Sequence, residues 1–469
     1  MTNKANKKSK NKGRRNFNKK SNDSQQEWYD QVDSRKSDSK KNDMPTRKNN
    51  SHKGESIKGD SKQQNSTQKS FKKPNGYRKM ETEQDTISVK VDYINEDGQG
   101  VTVLDNNHIP VNFLLKDEVA EISYHKKGKF FESSIIKVIE KSKDRVNPPC
   151  RYYTRCGGCQ LMHMSYPAQL KYKSGRVKKL MIGHNVEKII GMEDPWHYRN
   201  KMISSFSYNK KVSSGFYQMY SHDIVNIENC MVQDEIVEPI MDTINRLATS
   251  CKLRVYNEDT ENGFLRHVQI RNGFKSKEVM VVLIVADKIF PGKNKFIKAL
   301  TETHPEIKTI VQNVNKRSSS AVLGDHEIIL YGSGTIRDEL CGLNFNVSSK
   351  AFYQINPIQT EKLYNLALEM ANLSSEDIVV DTYSGIGTIT LIAAQKAKKV
   401  FGVEINKDAI RNAIRNAKLN KIKNAQFVEG DAGEIMVQMA EEEVPVTTVF
   451  MDPPRSGSDE QFLTSVVNR

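Results

Sequence analysis

The chain contains no run of eighteen apolar residues, so no segment is expected to cross a membrane as a helix. Cysteine is scarce, with six in 469 residues. So few cannot staple a chain of this length, which excludes a disulfide scaffold. The expected compartment is the reducing cytoplasm, where clustered cysteines more often hold metal. The Lys/Arg-rich start is followed by no apolar stretch, so it does not read as a secretory leader. No internal repeat is present. Net charge is also missing from most of the chain. Residues 1–80 hold 23 Lys/Arg against 8 Asp/Glu, which accounts for the whole +15, and the remainder carries 49 of each sign.

The composition divides the chain into four regions. Residues 1–80 are rich in Asn, Ser, Lys and Gln and poor in apolar residues. They cannot bury enough surface to offset ordering entropy, and a disordered basic tail is expected. Such a tail suits either solubility or salt-sensitive capture of a polyanion. Residues 81–141 alternate β-branched with polar residues, and "NEDGQG", "DNNH" and "HKKGK" punctuate them as turns. About five short strands are expected, forming a small barrel of oligonucleotide-binding type. Within it Lys126 and Lys127 stand near Phe130 and Phe131, cations beside aromatics suited to phosphates and bases. Residues 142–350 read as a mixed, mostly antiparallel central domain. Residues 351–469 alternate helices and strands, which predicts an α/β domain with a parallel sheet covered on both faces.

Two constellations carry chemistry. In "VVDTYSGIGTITLIAA" Asp381 ends a strand, and Gly385 and Gly387 form a tight turn that opens a helix. Glycines there let a ligand approach the backbone outside the strand ends. A dinucleotide fold would place a third glycine where Thr390 stands. The next strand ends in Glu404, placed for a ribose diol, and the following one in Asp431, placed for an adenine amino group. Acids after three successive strands resemble the pattern of class I S-adenosylmethionine (SAM) methyltransferases, a Rossmann-like fold. After the fourth strand "MDPPR" sets a carboxylate and two prolines as a rigid lip facing a planar substrate. Arg455 takes the place where amine methyltransferases often carry an aromatic ring, which suits an oxygen-rich ring such as uracil.

The second constellation is "CRYYTRCGGCQ", with Cys150, Cys156 and Cys159, joined by the remote Cys230. Four thiolates suit zinc or an iron–sulfur cluster. Three close cysteines plus a distant fourth lean toward the cluster but leave both open. Cys251 and Cys341 stand alone and read as small core residues.

Taken in order, the barrel, "CRYYTRCGGCQ" with Cys230, "YRNKM", "FYQINP", "DTYSGIGT", "VEIN" and "DPPR" resemble the bacterial RNA uracil-5-methyltransferases over about residues 82–469. That family modifies ribosomal or transfer RNA and begins with a TRAM-type barrel. The resemblance implies that Cys150, Cys156, Cys159 and Cys230 ligate a [4Fe–4S] cluster. It also implies that Gln354, Tyr383, Glu404 and Asp452 bind SAM, with Asp381, Gly385, Gly387 and Asp431 in support. The expected partner of this monomer is structured RNA, 23S rRNA before tRNA, contacted through Arg199, Lys201, Lys126 and Lys127.

In that family a Cys thiolate adds to uracil C6, C5 takes the methyl and a carboxylate removes the C5 proton. The nucleophile comes after "DPPR" there, whereas no cysteine comes after Cys341 here. The nucleophilic Cys is accordingly expected beyond Arg469, and no catalytic residue is assigned before it. The strand "VTTVFM" would also be an exposed sheet edge. An incomplete methyltransferase domain, with no turnover by the chain as written, is therefore expected. Two other functions compete: RNA binding without catalysis, and amine methylation, which Arg455 and the cysteine array disfavour.

Overall fold

A computed structural model describes residues 85–317 and 321–467. The expected basic tail lies outside the described residues. So does Arg469, the position beyond which a nucleophilic Cys is expected.

The N-terminal module has six strands rather than about five: β1 (Asp85–Lys90), β2 (Tyr93–Ile94), β3 (Gly100–Leu104), β4 (Asn107–Val111), β5 (Val119–Lys127) and β6 (Phe130–Glu140). The additional strand is the two-residue β2, too short to register as a period. Instead of one continuous sheet, β1-β5-β6 and β2-β3-β4 form two antiparallel sheets around one core that includes Val91, Ile109, Leu114 and Ile122. The predicted turns are where expected. Asp105 and Asn106 take φ of 46° and 64° between β3 and β4, and Gly128 takes 63° between β5 and β6. Glu118, fully buried, ties this module to the segment after β6. It accepts from Leu115 N at 2.8 Å, Ser142 N at 3.1 Å and the Arg145 guanidinium. Burial pushes its carboxyl up, but these donors outweigh burial and the net shift is downward.

Helix α1 (Tyr166–Leu180) precedes a seven-stranded sheet built from β7 (Lys201–Asn209), β8 (Lys211–Tyr217), β9 (Ile224–Asn226), β10 (Leu265–Asn272), β11 (Val279–Val285), β12 (Ile307–Val314) and β13 (His326–Tyr331). Its order is β13-β12-β11-β10-β7-β8-β9. The sheet is mixed and mostly antiparallel, as expected, with one parallel pair, β11 and β12. Helix α3 (Lys293–Thr303) makes that crossover, and helix α2 (Val237–Ser250) joins β9 to β10. All seven residues of β11 are buried. Val279, Val281, Leu283 and Val285 join the core under α2 and α3. Met280, Val282 and Ile284 join a second core, shared with the C-terminal region.

That region begins with the hairpin β14 (Thr335–Leu340) and β15 (Leu343–Ser348), then α4 (Pro357–Ala371). A parallel sheet comes next: β16 (Ile378–Asp381), α5 (Thr388–Ala393), β17 (Lys399–Glu404), α6 (Lys407–Leu419), β18 (Ala425–Glu429), α7 (Ala432–Glu441), β19 (Thr448–Phe450) and α8 (Glu460–Val467). Its order is β18-β17-β16-β19. Helix α7 was not expected. Asp431 starts it, accepting from Gly433 N at 2.8 Å and Glu434 N at 3.3 Å.

The asparagines of "RNAIRNAKLN" dock α6 on β15. Asn412, Asn416 and Asn420 recur every four residues and so share one helix face. Asn416 accepts from Asn346 N at 2.8 Å and donates to Ile386 O at 3.1 Å. Asn420 accepts from Asn344 N at 2.9 Å and donates to Asn344 O at 2.7 Å. Side-chain amides thus satisfy a strand edge that would otherwise lie open. Asn416 is fully buried, and Asn416→Ala strands two backbone groups. We expect it to cost about 3 kcal/mol in urea unfolding, against less than about 1 kcal/mol for Asn412→Ala, whose amide reaches only Ser348 Oγ at 3.2 Å. Equal losses would contradict the docking role.

Candidate active site

The strand order reverses between β16 and β19. From β16 the chain moves outward through β17 and β18, then returns to the other side of β16. In open α/β sheets a ligand crevice lies at such a switch point, outside the carboxyl ends of the strands. The glycine turn "SGIG" stands there. Gly385 and Gly387 take φ of 55° and 84°, which side-chain-bearing residues rarely adopt. A Cβ on Gly387 would come 2.9 Å from the Phe427 ring, whereas one on Gly385 would meet nothing within 4 Å. The two glycines therefore differ: Gly387 lets α5 pack, and Gly385 faces open space.

Glu404 flanks this turn from β17. Its Oε2 accepts from Gly385 N at 2.9 Å and its Oε1 from Asn406 N at 2.8 Å. Asp452 flanks it from the loop after β19, and Gln354 Nε2 donates to Asp452 Oδ2 at 3.4 Å. Glu404 and Gly385, and Gln354 and Asp452, are thus brought together in pairs on either side of β16. Tyr383 sits against Phe462, with ring centres 6.1 Å apart, and its hydroxyl lies 2.8 Å from Ser458 Oγ. Asp431 uses one carboxylate oxygen to cap α7. Tyr364 was missed by the sequence reading. It lies on the buried stripe of α4, its phenol stands near Thr388 and Gln354, and burial pushes it up to about 12. Its place in the repeat Pro357, Thr360, Tyr364, Leu368 marks a core position, which conceals a polar tip.

Asp381 is buried and faces inward. Its Oδ2 accepts from Thr390 N at 2.9 Å and Thr390 Oγ1 at 2.6 Å, so the residue standing where a third glycine was sought anchors the turn instead. Among the described residues, its other oxygen has no hydrogen-bond partner.

The four cysteines come together. Cys150, Cys156, Cys159 and Cys230 all line one cavity of about 390 Å³, which they share with Arg199 and Lys201. Burial raises the thiols of Cys156, Cys159 and Cys230, that of Cys159 to about 12, and neighbouring cysteines add to each rise. Among the described residues, no three His, Cys, Asp or Glu side chains form a set that could hold a metal ion. The cysteines ring a space rather than meet at a point. Cys251 and Cys341 pack against the two cores, as expected. Burial raises the Cys341 thiol to about 11, the wrong direction for a nucleophile.

The expected cations differ in setting. Lys127 pairs with Glu132, and Lys126 stands 5.9 Å over the Phe131 ring. Lys201 is half-buried, and burial followed by Arg271 and Arg199 lowers its ammonium to about 8. Arg199 Nε donates to Lys201 O at 2.9 Å. A cleft of about 1250 Å³ opens between the N-terminal module, α1 and the turn after β8. Its walls include Tyr172, Lys173, Arg176, Tyr217, Tyr220 and Arg455 of "DPPR". No described helix is long and apolar enough to cross a membrane.

Burial, with a smaller contribution from Asp452, raises the Asp381 carboxyl from 3.8 to about 6 despite the Thr390 donors. A raised folded-state value means that its stabilising contribution is complete below about pH 4 and is lost as pH rises through about 6. Asp381→Asn should therefore match the native protein near pH 4 and exceed it above pH 7 by up to roughly 3 kcal/mol. Thermal melts across that range check this; a difference independent of pH would contradict it.

The family described as tRNA (uracil-5-)-methyltransferase matches residues 165–468. A protein of Caldanaerobacter subterraneus subsp. tengcongensis, described as an uncharacterised RNA methyltransferase, is 38% identical over 387 residues, 81% of this chain and 85% of the relative. A counterpart in Halalkalibacterium halodurans is 40% identical over 393 residues, 82% of this chain and 86% of its own. The crystal structure of Pyrococcus abyssi tRNA (uracil-54, C5)-methyltransferase in complex with S-adenosyl-L-homocysteine superposes with a TM-score of 0.65 at 24% identity, covering 81% of this chain and 87% of that one. That likeness gives the fold. The two-thirds of the sequence matched by the family description and the two relatives give the kinship: the chain belongs to the tRNA (uracil-5-)-methyltransferase family.

Proposed function

We propose that the chain binds SAM outside β16, β17 and β19 and serves methylation of uracil C5 in structured RNA. The observation that carries this reading is the switch-point crevice. Gly385 leaves the backbone open there, the Glu404 carboxylate stands on one side, and the Gln354–Asp452 pair stands on the other. Glu404 suits a ribose diol, and Gln354 and Asp452 suit the reacting end of the ligand. When bound, SAM supplies an electrophilic methyl group. Tyr383 and Asp431 complete the proposed contacts, with Asp381 acting through Thr390.

The wide cleft suits the RNA. Tyr172, Tyr217 and Tyr220 offer surfaces for unpaired bases, and Lys173, Arg176 and Arg455 offer charge for phosphates. Arg199, Lys201, Lys126 and Lys127 remain proposed RNA contacts. Ribosomal RNA is the proposed substrate. Transfer RNA, the substrate in the Pyrococcus protein's description, is the alternative. The protein is proposed to act as a monomer in the cytoplasm, where its free cysteines stay reduced.

Four thiols that line one cavity without meeting at a point favour a [4Fe–4S] cluster over one zinc ion. A single zinc draws its sulfurs to about 2.3 Å from one centre, whereas a cluster spreads its thiolates over several irons. Cys150, Cys156, Cys159 and Cys230 would hold it. Protein purified without oxygen should be brown and contain iron and labile sulfide. Colourless protein with stoichiometric zinc would contradict the assignment.

Glu404→Ala should weaken SAM binding by at least about tenfold in calorimetry, the worth of one charged hydrogen-bonding group. Unchanged affinity would remove Glu404 from the site. Deleting the gene in its own cells should abolish a 5-methyluridine in 23S rRNA, read by nucleoside mass spectrometry. Loss from tRNA would select the alternative, and no loss from either would contradict the function.

A further inference from the structure

The segment 349–356, between β15 and α4, has no regular secondary structure, yet buried donors hold it at four successive points. Gln269 Nε2 donates to Ser349 O at 3.0 Å, and Arg271 Nη2 donates to Ala351 O at 2.8 Å. Asn200 donates from Nδ2 to Gln354 O at 3.1 Å and from its backbone N to Ile355 O at 3.1 Å. Gln269 and Arg271 lie two apart on β10 and so share one face of the sheet. Their acceptors, Ser349 and Ala351, are also two apart and run in the same direction. Side chains thus do for this segment what a neighbouring strand's backbone would do.

The donors are an unfavourable choice of residue for packing alone. Asn200, Gln269 and Arg271 are each at most 2% exposed. Arg271 bonds to a carbonyl; among the described residues no carboxylate is paired with it and its Nε has no partner, and burial lowers its guanidinium to about 10. A buried, unpaired charge is destabilising. The opposite face of β10 contributes Val268 and Ile270 to the core, so an apolar residue at position 271 would fill the space with less penalty. The segment that these donors hold carries Gln354, whose amide reaches Asp452. From β14, Asp338 Oδ2 accepts from the Tyr353 hydroxyl at 3.3 Å, which holds the residue next to Gln354.

We infer that Asn200, Gln269 and Arg271 are positioning residues: a clamp on the central sheet that sets Gln354 at the proper height over the crevice for SAM. The inference rests on the SAM assignment of Gln354. It also places Asn200, between the proposed RNA contacts Arg199 and Lys201, in direct contact with the cofactor segment.

The test is a thermodynamic cycle read by calorimetric titration of the full chain with SAM. Gln354→Ala should weaken binding about tenfold, equivalent to about 1.4 kcal/mol. Arg271→Met should weaken it similarly, Arg271→Lys should recover most of the loss, and Arg271→Met added to Gln354→Ala should cost nothing more. Gln269→Leu, a neutral change of similar size, supplies the same cycle should Arg271→Met fail to fold. Full additivity with Gln354→Ala, or a loss that tracks the melting temperature without recovery by Lys, would overturn the clamp. Unchanged affinity in Gln354→Ala itself would instead remove the SAM assignment on which the clamp stands.

Discussion

A strand buried on both faces must be covered on both faces, and β11 imposes that condition on this molecule. "VMVVLIV" sends alternate side chains into two different cores. One core is closed by α2 and α3. The other is closed by the C-terminal region, whose Tyr364, Leu391, Ile392 and Val400 share it with Met280, Val282 and Ile284. The central sheet and the parallel sheet are therefore packed against each other by the same residues that fold them. Near residue 350 the sequence reads as a domain boundary, but in the structure the chain there runs through a shared interior.

This packing positions the site. Because the second core fixes β16 relative to β10, side chains on β10 can reach the segment that carries Gln354. A crevice that depends only on a βα turn needs only local residues, and Gly385, Gly387 and Glu404 meet that need within twenty residues. The other half of the crevice depends on contacts that span about eighty residues or more, from Gln269 and Arg271 to Ser349 and Ala351 and from Gln354 to Asp452.

That difference explains what could be read from the sequence. Glycines opening a helix and acids ending strands have local causes, so the turn and Glu404 were legible. Four cysteines in two segments were also legible as a group, because few other roles suit clustered thiols in a chain otherwise poor in them. The cap that Asp431 provides to α7 is not legible, because Gly433 and a short apolar face conceal that helix. Lys201 in "YRNKM" reads as an RNA contact, and the structure places it half-buried and paired with Arg271, because β7 is an inner strand of the seven-stranded sheet. Arg271 gave no signal, since a charged residue in a strand reads as solvent-facing until the opposite face of the sheet is known to be covered.

Everything proposed here depends on SAM binding in the crevice at the switch point. Hydrogen–deuterium exchange with and without S-adenosylhomocysteine tests it most directly. Protection is expected in peptides covering residues 350–356, 382–388 and 403–406. Protection elsewhere with none in these three segments would place the ligand in another hollow and contradict the account.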